Sequence, residues 1–365
     1  MNSNLYDFLK PLIYKLDPES THNNFMNLFY LTEKIFSLGN ITATPKNKNP
    51  IKIFGLEFKN RVGLAAGLDK NASHIDALSW LGFGAIEVGT VTPQPQSGNP
   101  KPRLFRLEQD KALINRFGFN NVGLEKFIKN IRRSKWVKRK EGILGVNLGM
   151  NYNTNLEKAF EDYCIGIKTT YDFADYLVVN ISSPNTQDLR SLQKREYFSN
   201  LLKSIKKQQK TENLRTNSWK PIFLKMSPDV DCKNLEEMID EIKFHEIEGI
   251  IATNTSVERN NLKEKEISIE TGGLSGKPIS EKANQILSQI KSYLPNETLI
   301  IGSGGVMDGL DACEKIKRGA DLIQIYTGLI YSGPKIVNDC ISMISEQLSN
   351  NQVHQPCNSV SSLKS

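Results

Sequence analysis

The stretch "VVNISSPNT", Val178–Thr186, begins as an apolar, β-branched run of the kind that forms a buried strand. It ends in Asn, Ser, Ser, Pro and Asn, residue types that a hydrophobic core rejects. Such a strand delivers polar side chains, here Asn180 and Ser183, to a place where they can meet a ligand. Two glycine-rich segments, "TGGLSGKP" and "IGSGGV", carry a second signal. Glycine lets backbone N–H groups approach an anion closely; either segment alone reads equally well as a tight turn, but together they favour a phosphorylated ligand.

Other chemistries lack their parts. The four histidines, His22, His74, His245 and His354, show no metal-ligand spacing, so no metal is expected and zinc hydrolysis is disfavoured. There is no G-x-S-x-G elbow, and neither glycine segment is the G-x-G-x-x-G fingerprint of a nicotinamide site. Five widely spaced cysteines form no C-x-x-C pair and read as reduced thiols.

The elements that must position these residues follow from periodicity. From about residue 61 onward, eight short apolar runs alternate with amphipathic stretches such as Asn121–Ile131 and Leu235–Phe244. The runs are "RVGLAAG", "GAIEVGT", "ILGVNLG", "YLVVNIS", "PIFLKMS", "GIIATNT", "LIIGSGG" and "DLIQIYT". Near-continuous apolar strands separated by helices predict a parallel sheet, and eight such units close into a (β/α)8 TIM barrel, an α/β fold. Polar or glycine residues end the strands: Asn147, Asn180, Lys225, Thr253 with Asn254, Gly304 with Gly305, and Tyr326 with Thr327. Active sites of this fold lie at that face. A mouth rich in Asn, Thr, Ser and Lys, with few carboxylates beyond Asp69, suits an acidic substrate and a cofactor that supplies its own chemistry. A flavin mononucleotide meets that description.

Residues 1–40 differ. Leu5, Phe8, Leu9, Leu12, Ile13 and Leu16 make one helical stripe, and Phe25, Leu28, Phe29, Ile35 and Phe36 a second, with Asp17 as N-cap and Pro18 at the first helical position. Met26, Tyr30 and Leu31 lie off the second stripe, so this small helical hairpin carries more apolar surface than one docking face requires, which points to a membrane or binding role. Residues 41–50, including "TPKNKNP", read as a linker, 51–349 as the barrel, and 350–365 as a disordered tail.

Hydrophobic residues at 39% and charged residues at 24% describe a globular protein, and no window approaches the run of about 18 apolar residues that a membrane span needs. The N-terminus lacks a secretory signal pattern, so the chain is expected on the cytoplasmic side. A net charge of +7 suits anionic partners, but "KNIRRSKWVKRK" reads as a helix end and solvated loop, and no nucleic-acid partner is expected.

Taken together, "GLAAGLDKN", "INRFGFNN", "NISSPNT", "ATNTS", "GGLSGKP" and "QIYTG" resemble the dihydroorotate dehydrogenase family over roughly residues 5–348, specifically its quinone-linked, membrane-associated class. Serine stands where the soluble class has cysteine, and a helical extension with "LDPESTH" precedes the barrel. The resemblance implies oxidation of (S)-dihydroorotate to orotate in de novo pyrimidine biosynthesis. By that resemblance one FMN per chain would be the redox carrier and a membrane quinone the acceptor. The protein would be a monomer attached peripherally to the cytoplasmic face of the inner membrane.

It also implies roles by position. Ala66, Gly67, Leu68, Asp69, Lys70, Thr90, Asn147, Asn180, Lys225, Thr253, Gly276, Gly305, Tyr326 and Thr327 match flavin contacts. Lys70, Asn115, Arg116, Phe117, Gly118, Phe119, Asn180, Asn185, Asn254 and Thr255 match substrate contacts, Ser183 the catalytic base, and His22 and Arg106 the quinone head. Asparagine, offering donor and acceptor, suits a ring bearing amide-like groups, and Lys70 suits its carboxylate. Serine needs desolvation or a relay to take the C5 proton, and the sequence does not identify the relay partner. Two departures stand out: Met150 where many relatives carry lysine, and Gln187–Asp188 in place of Pro-Gly on the Ser183 loop. Two alternatives stay open: another FMN barrel oxidoreductase, and a barrel kept only as a membrane-surface module.

Overall fold

A computed structural model describes residues 6, 10–11, 13–37, 49–186, 188–295 and 297–353, except the side chains of 29–37 and 351–353. A two-stranded hairpin, β1 (Ile51–Ile53) and β2 (Leu56–Phe58), comes before the barrel. The barrel strands are β3 (Val62–Leu64), β4 (Ala85–Val91), β7 (Ile143–Leu148), β8 (Tyr176–Asn180), β9 (Ile222–Met226), β10 (Gly249–Ala252), β12 (Leu299–Ser303) and β13 (Leu322–Ile325). They close in the order β10-β12-β13-β3-β4-β7-β8-β9, every pair parallel. All eight expected runs supply a strand. The TIM-barrel reading holds.

Strand alternation sorts the residues into two cores. Outward residues such as Ile86, Val88, Leu144, Val146, Leu177 and Val179 pack with the helices in the main core. Inward residues Ala85, Ile143, Tyr176, Val178, Phe223, Ile251, Leu299, Ile301 and Leu322 fill the barrel, with Phe58 of β2 packed among them. Further along six of the strands, two residues on in five and four residues on in β7, the inward positions turn polar: Glu87, Asn147, Asn180, Lys225, Ser303 and Gln324, all buried. The top interior layer of the barrel is thus a polar floor.

Three strands that periodicity did not foresee cover part of the mouth. β5 (Leu104–Leu107), β6 (Ala112–Asn115) and β11 (Gly273–Gly276) form an antiparallel sheet with β6 in the middle. Segment "TGGLSGKP" is therefore largely an edge strand rather than a free loop. One face of the sheet packs Leu107, Ala112, Ile114 and Leu274 against Leu262 and Ile279.

The helix Pro18–Ser37 begins as expected, with Asp17 Oδ1 accepting the N–H of Ser20 at 2.8 Å. Its docking face is corrected. Met26, placed off the stripe, is buried in the main core, while Leu28, placed on it, is 59% exposed. A buried ion pair sets the rotation: Glu19 accepts from Arg103 Nη2 at 2.8 Å and from Arg103 Nε at 3.0 Å. Earlier in the chain Tyr6, Lys10, Pro11, Ile13 and Tyr14 are helical. There Lys10 Nζ donates to the Tyr331 carbonyl at 2.9 Å. Leu5, Phe8, Leu9, Leu12 and the linker up to residue 48 lie outside the described residues, as do the side chains of Phe29, Tyr30, Leu31, Ile35 and Phe36. The last helix, Lys335–Val353, continues past residue 349.

Candidate active site

The strand ends and loops enclose a cleft of about 1000 Å³, counting its open mouth. Of the flavin candidates, Ala66, Gly67, Lys70, Thr90, Asn180, Lys225, Thr253, Gly276, Gly305, Tyr326 and Thr327 line it. So do Asn115, Phe117, Gly118, Phe119, Asn185, Asn254 and Thr255 of the substrate candidates, together with Ser183.

Four candidates sit elsewhere. Leu68 lines a second, apolar cavity. Asp69 is buried and accepts the backbone N–H groups of Ser73 at 2.9 Å and His74 at 2.8 Å, holding the turn after β3. Asn147 lies in the floor beneath the cleft, and Arg116 turns away to pair with Glu270 at 2.5 Å.

The floor is one hydrogen-bonded network. Asn254 Nδ2 donates to Asn180 Oδ1 at 3.3 Å, and Asn180 Nδ2 to Thr90 Oγ1 and Asn147 Oδ1, each at 3.2 Å. Thr90 Oγ1 donates to Asn147 Oδ1 at 2.6 Å, and Asn147 Nδ2 reaches Glu87 Oε1 at 2.7 Å. Glu87 also accepts from Gln324 Nε2 at 2.5 Å and lies 3.9 Å from Lys225 Nζ. Burial pulls the Lys225 ammonium below its ordinary range, and the Glu87 carboxylate works the other way.

Glu87, Gln324, Ser275 and Ser303 are the site residues that sequence reading missed. The available signal was a charge inside an apolar strand, "GAIEVGT", since a buried carboxylate needs partners.

Whether this cleft fits a flavin phosphate and ring can be read from its glycines and orphaned groups. A Cβ on Gly276 would come within 2.3 Å of the Lys111 carbonyl, and one on Gly305 within 2.3 Å of Ser280 Cα; both glycines have positive φ. Backbone runs where side chains cannot, leaving a cradle beside the Thr327 and Ser275 hydroxyls. Two cleft residues keep a buried oxygen without a partner, Gln324 Oε1 and Asn185 Oδ1. These acceptors suit the N–H groups of a heterocycle. The residues present fit FMN.

At the cleft edge Lys70 Nζ donates to the Gly67 carbonyl at 2.7 Å and stands 4.1 Å from the Phe117 ring centre. Desolvation lowers its pKa to about 8, against the opposing pull of the Glu19 carboxylate. It is a cation at the edge of the cleft.

The second cavity lies between the N-terminal helices and the inner face of the three-stranded sheet. Leu68, Leu78, Leu104, Leu113, Phe25 and Met26 give it apolar walls. His22 and Arg106 are among its polar groups, with Thr21, Tyr6 and Tyr14. Burial lowers the His22 pKa to about 4, so its imidazole is neutral at pH 7. Arg106 donates to the Tyr14 carbonyl at 2.9 Å, while its Nε is buried without a partner. Phe117 and Tyr326 line both cavities and form the wall between them.

The sequence model of the family described as "Dihydroorotate dehydrogenase" matches residues 50–348. The chain belongs to the dihydroorotate dehydrogenase family. It is 42% identical over 341 residues to "Dihydroorotate dehydrogenase (quinone)" of Neisseria meningitidis serogroup A, covering 93% of this chain and all of that protein. It is 44% identical, with the same coverage, to the protein of that name from Acinetobacter baumannii. Among solved structures it resembles the Eimeria tenella enzyme in complex with ferulenol: TM-score 0.84, 34% identity, 94% of this chain and 96% of that one.

The Met150 side chain is buried in the main core and does not line the cleft. Ser183 is buried, and its Oγ accepts the N–H of Asn185 at 3.3 Å. Three residues on, the Thr186 hydroxyl is buried with no hydrogen-bond partner. Among the described residues no His/Cys/Asp/Glu group can hold a metal, and no helix is long and apolar enough to cross a membrane.

Proposed function

We propose that this protein oxidises (S)-dihydroorotate to orotate in pyrimidine biosynthesis, with one FMN in the polar cleft and a membrane quinone admitted through the apolar cavity. The observation that carries this reading is the meeting, at Phe117 and Tyr326, of a cleft rich in Asn, Thr, Ser and Lys side chains and a second cavity with mostly apolar walls. A polar acid and an apolar acceptor cannot share one binding surface, so each approaches from its own side.

FMN, when bound, supplies the two-electron acceptor for the hydrogen at substrate C6. The protein's own residues do the rest. Lys70 neutralises the substrate carboxylate. Asn115, Asn180, Asn185 and Asn254 orient the ring through paired donors and acceptors. Ser183 Oγ takes the C5 proton in a site where its burial excludes bulk water. Gly276, Gly305 and Thr327 would hold the phosphate of FMN, and Lys225 and Gln324 would offer polar groups to its ring. Neutral His22 and the free Arg106 Nε–H offer hydrogen bonds to a quinone carbonyl.

Residues 1–40 serve as a peripheral membrane foot of a monomer on the cytoplasmic face. Leu16 and Leu28, 55% and 59% exposed, support that reading. The test is the visible spectrum of the pure protein before and after anaerobic dihydroorotate. Flavin bands that bleach with dihydroorotate and return with a quinone are expected. A colourless folded protein that cannot be reconstituted, or a flavin untouched by dihydroorotate, refutes it.

A further inference from the structure

Seven residues beyond Ser183, on the short 3-10 turn Leu189–Gln193, Arg190 spreads its guanidinium across three loops. Its Nε donates to the Ser182 carbonyl at 3.2 Å, its Nη2 to the Thr255 carbonyl at 3.1 Å, and its Nη1 to Asp229 Oδ2 at 3.0 Å. Ser182 immediately precedes the candidate base. Thr255 immediately follows the substrate candidate Asn254. Asp229 stands on the loop after β9, the strand between the two that carry those loops.

Asp229 is itself a hub. Its Oδ1 accepts from Ser256 Oγ at 2.6 Å and Lys282 Nζ at 2.7 Å, and its Oδ2 from the backbone N–H of Val257 at 2.8 Å. Burial would raise its pKa, but these hydrogen bonds and the Arg190 charge keep it below the ordinary carboxyl range, so it is ionised at pH 7. The carboxylate is thus fixed to the substrate-reading loop and the guanidinium to the base loop, and the ion pair joins them.

We propose that the Arg190–Asp229 pair is a clamp that positions Ser183 against the substrate, fixing the distance between the loop that carries the base and the loop that reads the ring. The inference rests on the assignment of Ser183 and Asn254 under the proposed function. Arg190 touches no reacting atom and is a positioning residue. Its fork is planar and rigid, so three bonds in fixed directions define where Ser182 stands relative to Thr255. A lysine at 190 keeps the charge but cannot hold three acceptors in that geometry. Among the described residues the Asn254 amide also ties this side to the base loop, donating to Ser182 Oγ at 2.9 Å and Asn180 Oδ1 at 3.3 Å, but under the proposed function that amide is one the substrate engages. The clamp is the tie left when the ligand is bound.

Displacing a reacting group by about 1 Å can cost about 10²-fold in rate. R190A and R190K are made in the full-length holoprotein, with D229N as the partner variant. Three quantities are read: flavin reduction by dihydroorotate, orotate affinity by calorimetry, and hydrogen exchange of the amides of Ser182, Ser183, Asn185 and Thr186 without substrate. The clamp predicts reduction slower by about 10²-fold in R190A, little recovery in R190K, and faster exchange in all three variants. Orotate affinity and reoxidation by quinone should change by no more than a few-fold. Reduction within about threefold of the parent in R190A overturns the proposal. So does full recovery in R190K, which also decides the matter if R190A does not fold. A parent protein that dihydroorotate cannot reduce refutes the proposed function instead, and the exchange measurement then still tests the clamp.

Discussion

Replacing Glu19 with Gln isolates what docks the helix Pro18–Ser37 on the barrel. The carboxylate takes three hydrogen bonds from Arg103, at 2.8, 3.0 and 3.2 Å, and both side chains are buried. The Lys101 contact at 3.4 Å is largely exposed on the lysine side and adds little. Removing one partner of a buried ion pair costs about 3–5 kcal/mol because the other charge stays buried. Arg103 keeps the carbonyls of Ser97 at 2.6 Å and Asn99 at 2.9 Å, which puts the loss near the lower end, about 3 kcal/mol. At about 1.4 kcal/mol per decade that is a factor of about 10² in the docking equilibrium.

Hydrogen exchange reads this directly. Amide protection in the helix should fall about 10²-fold in Glu19→Gln, while barrel strands keep theirs. In stopped flow, flavin reduction by dihydroorotate should stay within about twofold and reoxidation by quinone should slow. Unchanged helix protection would refute the docking argument. Lost protection with unchanged quinone reoxidation would refute the second cavity as the quinone route. The pH dependence has a definite sign. Burial pushes the Glu19 carboxyl up, but Arg103 outweighs it and holds the folded-state pKa below the ordinary value. The contribution is therefore complete above about pH 4.3 and is lost as pH falls from there through the lower folded-state value.

Three further outcomes are expected. Ser183→Ala should slow flavin reduction by about 10²- to 10⁴-fold with flavin content unchanged, and near-normal reduction would remove Ser183 as the base. Orotate affinity should decline as pH rises past about 8, where Lys70 loses its proton, and Lys70→Met should abolish that decline; calorimetry across pH 6.5 to 9.5, roughly one and a half units either side, checks it. Gly305→Ala places a Cβ 2.3 Å from Ser280 Cα at a φ of +78°. It should cost more than about 1 kcal/mol of stability and lower the flavin-to-protein ratio, read by melting and absorbance.

The sequence by itself determined the barrel and the chemical character of its mouth. Eight apolar runs with polar ends admit few other closed arrangements, because alternation forces every second residue inward and the polar ones cluster at one end. Asn180, Lys225, Thr253 and Gln324 share a layer for that reason, and the first three were legible as strand ends.

Tertiary structure decided what local pattern cannot encode. The three-stranded sheet joins a hairpin inserted after β4 to a strand 158 positions further on, counting from Asn115 to its partner Gly273, and no local period reports such a pairing. Asp69 and Arg116 match site positions by resemblance, yet the Asp69 carboxylate caps the local turn at Ser73 and His74 and the Arg116 guanidinium meets Glu270, a partner distant in the chain. Glu87 was hidden in an apolar strand, and only closure of the barrel brings Asn147, Lys225 and Gln324 around it. The helix stripe shows the same limit. Amphipathicity located an apolar helix, but the rotation that buries Met26 and exposes Leu28 follows from one long-range ion pair, Glu19 with Arg103. A hydrophobic stripe sets how much surface is buried; a directional charge pair sets which way it faces.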